Sequence, residues 1–335
     1  MALNFIILTC RPKDFDFRYH LAFELNALGN AVTYIFLKRR PLILDMATGK
    51  SVEMTMFRFL VWFGRLRTRS PDTLVFNSTN LAFPFLNALL RTISGTRWIL
   101  DMHDDLLYSF QGVARWRAAC AQRFILSQSD LVVHAAPTLK RLFPRSHHIG
   151  NGSSLQALPK TREDQHRVLV MASLDRRFDF DLMAAAAATL PRHSFDIYGR
   201  ISQGDADIRA HLSALTTKNP NVTYHGPYSD LDLPGLMARY IVAFAPYRVG
   251  IRITEFIDPL RFYHCLASNT GLVSTAIPQA VAMQDRIVIM TDITQLEAAL
   301  DRAIQERSGE TTSWYAVAEK LMAVVARQLS VIKLG

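Results

Sequence analysis

Short apolar runs alternate with stretches of helical period along almost all of the 335 residues, and this rhythm restricts the fold more than any other feature. Asn4-Phe5-Ile6-Ile7-Leu8 reads as a buried strand. Phe17, Leu21, Leu25 and Leu28 then mark one helix face, which stops at Gly29, and Val32 to Leu37 reads as a second strand. Further strands are expected at 73–76, 98–100, 131–133 and 148–149, with helices near 54–66, 80–93, 109–127 and 136–142. Short strands apolar on both sides, separated by helices, are the pattern of a parallel sheet covered on both faces.

The rhythm lapses from Gly150 to Asp164, which reads as a linker, and then resumes. Strands are expected at 168–171, 194–198, 222–224, 241–245, 272–274 and 287–289. Helices are expected near 179–188, 205–215, 229–238, 256–267 and 293–306, with a last one over 313–331. Single cores stop growing at roughly 250–300 residues. The expectation is therefore an α/β chain of two doubly wound, Rossmann-like domains, 1–152 and 165–312, facing across a cleft and followed by a C-terminal helical segment, 313–335. Ligands of such sheets bind beyond the carboxyl ends of the strands.

Composition removes several classes. Cys10, Cys120 and Cys265 are too few and too far apart for a disulfide framework or a metal site, which suits a reducing compartment. The first residues carry no basic leader, and no apolar run approaches the roughly 18 residues that span a bilayer. A cytoplasmic protein, soluble or peripheral, is expected. Neither GxGxxG, GxxxxGK[ST] nor GxSxG occurs, and the ten His show no metal-ligand spacing, so no metal is expected. The net charge of +9 is lopsided: residues 1–160 hold 20 Lys/Arg against 10 Asp/Glu, whereas 161–335 hold 18 against 19. The first half is thus the one suited to an anionic partner.

Two polar clusters can carry chemistry. Asp101-Met102-His103-Asp104-Asp105 directly follows the strand at 98–100. Three carboxylates and an imidazole at a strand's carboxyl end need a cation, exposure or a catalytic use; Asp105 suits a helix cap and Asp104 a general base. In the second cluster, a strand ends at Pro246-Tyr247 and a loop follows with Arg248, Arg252, Glu255 and Asp258. A helix then opens near Pro259 with Arg261 in its first turn. Free N–H groups and an arginine at a helix start suit a diphosphate. The alternative is a surface pair between Arg261 and Asp258.

With these residues in place the chain resembles the GT-B glycosyltransferases. The resemblance rests on Pro246-Tyr247, the loop, and the run from Pro259-Leu260-Arg261 through His264 to Pro278. It is supported by Asn151-Gly152, Ala172-Ser173-Leu174 and Ile197-Tyr198-Gly199 in the same order along the chain. Within that class the likeness is nearest to the inverting, membrane-associated glucuronosyltransferase of xanthan synthesis. The resemblance implies that Asp104 is the base for the acceptor hydroxyl. It implies that Arg261, with the helix start at Pro259, neutralises the leaving diphosphate of a nucleotide-sugar donor, a UDP-sugar being favoured. Tyr247 and Leu174 would line the nucleotide pocket, His264 would meet the ribose hydroxyls, and Arg176 (or Arg177) would give a second phosphate contact. The retaining members' pair of glutamates falls here on Phe256 and His264, which favours inversion; Glu255 and Asp258 stand nearby. The implied acceptor is a lipid-linked oligosaccharide in polysaccharide synthesis, with no cofactor or metal.

Residues 54–69 mix aromatics with arginines, and Arg58, Arg65 and Arg69 share one helix face, a pattern suited to an anionic membrane surface. Lys38-Arg39-Arg40 can add to it. A core helix with solvated arginines is the alternative. Nucleic-acid binding is disfavoured by the two-domain pattern. A non-catalytic nucleotide-sugar-binding or scaffold subunit, or a GT-B-like sugar-nucleotide epimerase or hydrolase, remains as a competing reading, because fold does not fix function.

Overall fold

The computed structural model describes residues 2–11, 16–69, 72–79, 81–157, 159–161, 164–202, 206–307 and 309–333. The chain forms two compact units, Met1–Asn151 with Trp314–Gly335, and Gly152–Ser313.

In the first unit an eight-stranded sheet is built from β1 (Asn4–Thr9), β2 (Ala31–Phe36), β3 (Leu42–Asp45), β4 (Ser51–Glu53), β5 (Thr73–Asn77), β6 (Arg97–Met102), β7 (Leu131–His134) and β8 (His147–His148). Its order is β4-β3-β2-β1-β5-β6-β7-β8. The pairs from β2 through β8 are parallel, with Ile6 opposite both Thr33 and Val75. β3 and β4 run antiparallel at one edge, a hairpin that the sequence pattern does not announce. The central strands NFIILT, TLVFN and RWILDM are buried on both faces, as their unbroken apolar runs require. Phe59 and Phe63 of the helix Met56–Gly64 fill the core over β1, β2 and β5.

The second unit holds β9 (Arg167–Met171), β10 (Ser194–Tyr198), β11 (Val222–Gly226), β12 (Val242–Ala245), β13 (Gly271–Thr275) and β14 (Val288–Met290). All its pairs are parallel, in the order β11-β10-β9-β12-β13-β14, the doubly wound arrangement of a dinucleotide-binding sheet. The order reverses beside β9 here, and beside β1 in the first sheet. At each reversal neighbouring loops diverge and leave a crevice.

Several boundaries differ from those the pattern predicts. The helix expected over 256–267 begins only at Leu260, because Pro259 cannot sit inside a helix, and a separate short helix, Arg252–Glu255, precedes it. The one expected from 109 begins at Gly112, after a 3-10 turn over Leu106–Ser109, and the stretch at 136–142 is a 3-10 turn, Pro137–Arg141. The one expected over 80–93 spans Pro84–Ser94, and residue 80 lies outside the described residues, as do residue 205 of the helix expected at 205–215 and residues 158, 162 and 163 of the 150–164 segment. That segment is fastened to the second unit: the Lys160 ammonium donates to the Met237 carbonyl at 3.0 Å and to Thr270 Oγ1 at 2.7 Å.

The helix Trp314–Lys333 returns to the first unit and buries Trp314, Val317, Ala318, Leu321 and Val325, with the helix Arg18–Ala27 as its neighbour. Lys320 donates to His148 Nδ1 at 3.2 Å. Burial, then the Lys320 charge, holds His148 down to about 4, and burial with His148 and Lys140 does the same to His134. Both imidazoles are therefore favoured neutral in the folded chain, whereas unfolded histidine takes a proton near 6.5. Their stabilisation is full above about pH 6.5 and is lost as the pH falls toward about 4, where the unfolded chain binds protons that the folded chain refuses. Thermal unfolding is expected to shift to lower temperature across that window, with a shallower fall in His148→Gln, measured by calorimetry at matched ionic strength.

Candidate functional site

The loops at the carboxyl ends of the second sheet are tied to one another. Ala172 N donates to the Tyr198 carbonyl at 2.8 Å, Leu174 N to Arg200 O at 2.8 Å, and Ser202 N to Leu174 O at 2.9 Å. This interlock depends on Gly199, where a Cβ would stand 1.6 Å from the Ala172 carbonyl oxygen. Leu174 therefore lies at the reversal point, as the sequence places it, but its side chain is fully buried among Phe178, Ile197 and Phe244. Its backbone groups are also engaged, so it shapes the crevice floor without offering a polar group.

Across the reversal, β12 leads into Pro246 and Tyr247. The loop is pinned by Thr275, whose Oγ1 accepts from Tyr247 N at 3.1 Å and donates to the Tyr247 carbonyl at 2.8 Å. The Arg261 guanidinium lies over the Tyr247 ring, 5.1 Å from its centroid. Burial pushes the Tyr247 hydroxyl up from its ordinary value, with Arg261 opposing it. Arg261 has no carboxylate partner among the described residues. Asp258 instead accepts the Tyr263 hydroxyl at 2.9 and 3.0 Å, so the surface pair considered from the sequence does not form. Pro259 occupies the N-cap position, one residue before the helix Leu260–Ala267, not the first helical turn. No side chain caps that helix start.

His264, one turn on, meets Ser153 Oγ through Nδ1 at 3.0 Å. Ser153 also accepts from Leu155 N at 3.1 Å, which leaves its own proton for the imidazole. The proton of a neutral His264 then sits on Nε2. Arg177 is occupied by Asp175, with Nε 3.0 Å from both carboxylate oxygens. Arg176 is exposed and lines a separate cleft of about 290 Å³ with Phe178, Phe180, Asp181 and Arg248, away from Arg261 and His264.

The other candidate cluster belongs to the first unit, at the ends of β5 and β6. Asp101 is fully buried and takes two hydrogen bonds from Arg18, Nε to Oδ2 and Nη2 to Oδ1, both at 2.8 Å. Burial alone would raise the Asp101 carboxyl, but Arg18 and His103 outweigh it and hold it well below the usual carboxylate range. Ser78 donates to Asp101 Oδ2 at 3.0 Å, and His103 Nε2 lies 3.0 Å from the same oxygen and 2.7 Å from Ser78 Oγ. Serine and aspartate thus share one ring nitrogen, which rules out a serine-nucleophile relay, where they must occupy opposite nitrogens. With Ser78 giving its proton to the carboxylate, Nε2 is the protonated nitrogen of His103. His103 Nδ1, Arg18 Nη1 and Trp314 Nε1 are buried without hydrogen-bond partners among the described residues. Buried polar atoms are rarely left so, and an unmet group in a native structure points to a ligand or water. Asp104 is half-buried beside His103, and Asp105 accepts from Leu107 N at 3.3 Å, so it caps the following turn.

Arg18 and Ser78 were not visible as site residues in the sequence, nor was Ser153. Arg18 is 83 residues from Asp101, and its signal is only a charged residue opening a helix that should start apolar. The guanidinium is held among the rings of Phe17, Phe76 and Trp314, at 4.9, 5.8 and 5.6 Å.

With this geometry in hand, the comparisons with known proteins fall into place. Residues 7–152 match the family model of the glycosyl transferase 4-like domain. No curated protein sequence matches the chain. Among solved structures, HepE of Anabaena in complex with UDP and glucose superposes with a TM-score of 0.65 at 13% identity, over 97% of this chain and 100% of that one. A glycosyltransferase of Rickettsia africae ESF-5 gives 0.63 at 11% identity, over 98% and 99%. AviGT4, a glycosyltransferase involved in avilamycin A biosynthesis, gives 0.63 at 13%, over 98% of each chain. The fold is therefore GT-B, the two-sheet architecture of a large class of glycosyltransferases.

Three variants test these contacts. Arg18→Ala strips the counter-charge from a buried carboxylate and is expected to cost about 3–5 kcal/mol in denaturant unfolding, whereas Asp101→Asn with Arg18→Met together should cost less than Arg18→Ala alone. Gly199→Ala, which forces the Ala172 carbonyl out of place, is expected to cost about 4 kcal/mol or more, or to prevent soluble expression.

Proposed function

We propose that the protein is a glycosyltransferase that moves a sugar from a nucleotide-diphosphate donor, a UDP-sugar, to a lipid-linked oligosaccharide acceptor in polysaccharide synthesis, with inversion. The observation that carries this is Arg261. It is a cation without a carboxylate partner among the described residues, laid on Tyr247 where the second sheet's strand order reverses, in the first turn of an uncapped helix. That is a site for a diphosphate. HepE, of the same fold, was crystallised with UDP, which supports a uridine donor. The resemblance to the xanthan glucuronosyltransferase supports inversion.

In the reaction, the acceptor hydroxyl oxygen attacks the anomeric carbon as the bond from that carbon to the diphosphate oxygen breaks. The electron pair stays on the diphosphate, where Arg261 and the helix N–H groups meet the charge. Asp104 takes the acceptor's proton. His264, protonated on Nε2, donates to a ribose hydroxyl, and Tyr247 packs beside the nucleotide. The resemblance gives Arg176 a second phosphate contact, but the cleft it lines does not include Arg261, so the diphosphate charge is assigned to Arg261 and the helix start. Arg261 supplies the positive charge, so the scheme calls on no metal. The helix Met56–Gly64 meets an anionic membrane surface at the inner face of the membrane, where a lipid-linked acceptor would sit. No helix among the described residues is long and apolar enough to cross a membrane.

A second assignment of the base has its own observation: His103 Nδ1 is buried without a partner, and Asp101 fixes the ring from Nε2. The test is release of nucleotide from UDP-, GDP- and TDP-sugars, with and without a membrane lipid extract. Release that needs the extract is expected, falling about 10²–10⁴-fold in Asp104→Asn and remaining in His103→Gln; the reverse order transfers the role to His103. Arg261→Met should abolish release while the fold persists by circular dichroism. Release without extract would mark a hydrolase or epimerase, and tight UDP binding without release a non-catalytic subunit.

A further inference from the structure

Three helices of the first unit, Met56–Gly64, Pro84–Ser94 and Gly112–Ser127, pack side by side, the first on the second and the second on the third. The inward residues of the first two are unremarkable: Phe59, Phe63 and Leu90 join the core. The outward ones are not. Phe57 is 76% exposed, Phe85 80%, Val113 66% and Trp116 67%, with Val61 and Leu89 also exposed. Single exposed apolar residues are ordinary, but six on one flank, two of them Phe and one Trp, are not.

The third helix is the clearest case. Every residue from Ser109 to Arg117 is exposed, so its first turns have no cover at all. Val113 and Trp116 stand one turn apart at the start of this helix, and Phe110 lies in the extended segment just before it. Arg115 and Arg117 flank it.

Charge identifies the partner. Segments 54–71, 81–97 and 106–127, which contain the three helices and their flanking turns, hold nine arginines and no Asp or Glu. At the far ends of the first two helices, a cleft of about 460 Å³ is lined by Arg67, Arg91 and Arg97, with Asp130 as its single carboxylate. Asp130 is already taken by Arg91 at 2.9 Å and by Trp98 N at 2.7 Å. Arg67 and Arg97 have no carboxylate partner among the described residues. A surface of solvent-facing aromatics set in unopposed arginines fits a bilayer with anionic headgroups, the rings entering the interface and the guanidinium groups meeting phosphates.

We propose that this three-helix flank, with Val113 and Trp116 at the open start of the third helix as its leading edge, docks the protein onto an anionic lipid bilayer. It widens the membrane contact of the helix Met56–Gly64 proposed above to a surface most of which lies outside that segment. It is independent of which sugar is transferred.

Vesicle binding tests it on the full chain, with phosphatidylcholine vesicles with and without phosphatidylglycerol, read by co-sedimentation and by tryptophan fluorescence. Trp98 and Trp314 are buried and Trp62 is half-buried, so Trp116 is the indole most open to report. The native chain is expected to bind only the anionic vesicles, with a blue shift that Trp116→Ser removes. Val113→Ser with Trp116→Ser, and separately Arg115→Gln with Arg117→Gln, should each weaken binding about tenfold or more. UDP binding by these variants, measured without vesicles, should equal that of the native chain. Failure of the native chain to bind, equal binding to neutral vesicles, or unchanged binding by the variants overturns the proposal. So does a concentration-dependent dimer that the variants abolish without any vesicle binding. Absence of UDP binding in every form would instead overturn the donor reading and leave the docking result standing.

Discussion

The pair between Arg18 and Asp101 is the constraint on which the first unit's functional edge depends. A carboxylate with no exposure is costly unless it is matched in charge and in hydrogen bonds, and Arg18 does both through two parallel contacts at 2.8 Å. Because the pair joins the helix Arg18–Ala27 to the end of β6, it also fixes where Ser78 and His103 stand, and so where Asp104 emerges. The side chains that surround the guanidinium are rings, which tolerate a cation at their faces and exclude water from it.

The second unit reaches a similar end by different means. Among the described residues no buried ion pair organises its crevice; backbone hydrogen bonds do, running between the loops after β9, β10 and β11. Their geometry needs the missing side chain of Gly199, and the opposing loop is held by one threonine hydroxyl bonded to both the N–H and the carbonyl of Tyr247. Beside this framework one charged group, Arg261, rests on the buried ring of Tyr247.

Much of this architecture was legible in the residues. The strands that lie inside both sheets are unbroken apolar runs, and the turn to polar residues marks the end of β12 at Ala245, whereas β6 runs two residues past Leu100 and takes Asp101 into the strand. What escaped was of two kinds. β3 and β4 are short edge strands, LILD and SVE, the second of them exposed, and so lack the apolar signal of central ones. The partners of the site residues escaped because they are remote in sequence: Arg18 from Asp101, Ser153 from His264 by 111 residues. A buried arginine and a surface arginine are the same letter, and pairing across a sheet is a property of the folded chain. Leu174 shows the converse, a position that the resemblance assigns to the nucleotide pocket and whose side chain the core absorbs.

Trp314 closes the ring cluster over Arg18, yet it follows the whole second unit in the chain. Ser153 and Ser313 pair as neighbouring backbone segments, so the second unit is an insertion whose two ends lie together. On the ribosome, chain emerges from the amino end, and domains fold as units once their residues are out. The inserted unit is therefore complete first, while the first unit, although it begins synthesis, waits with Arg18 uncovered on one side until the residues after 313 arrive. Order of manufacture and order of completion run opposite ways in this chain, and the acidic centre at Asp101 is sealed last.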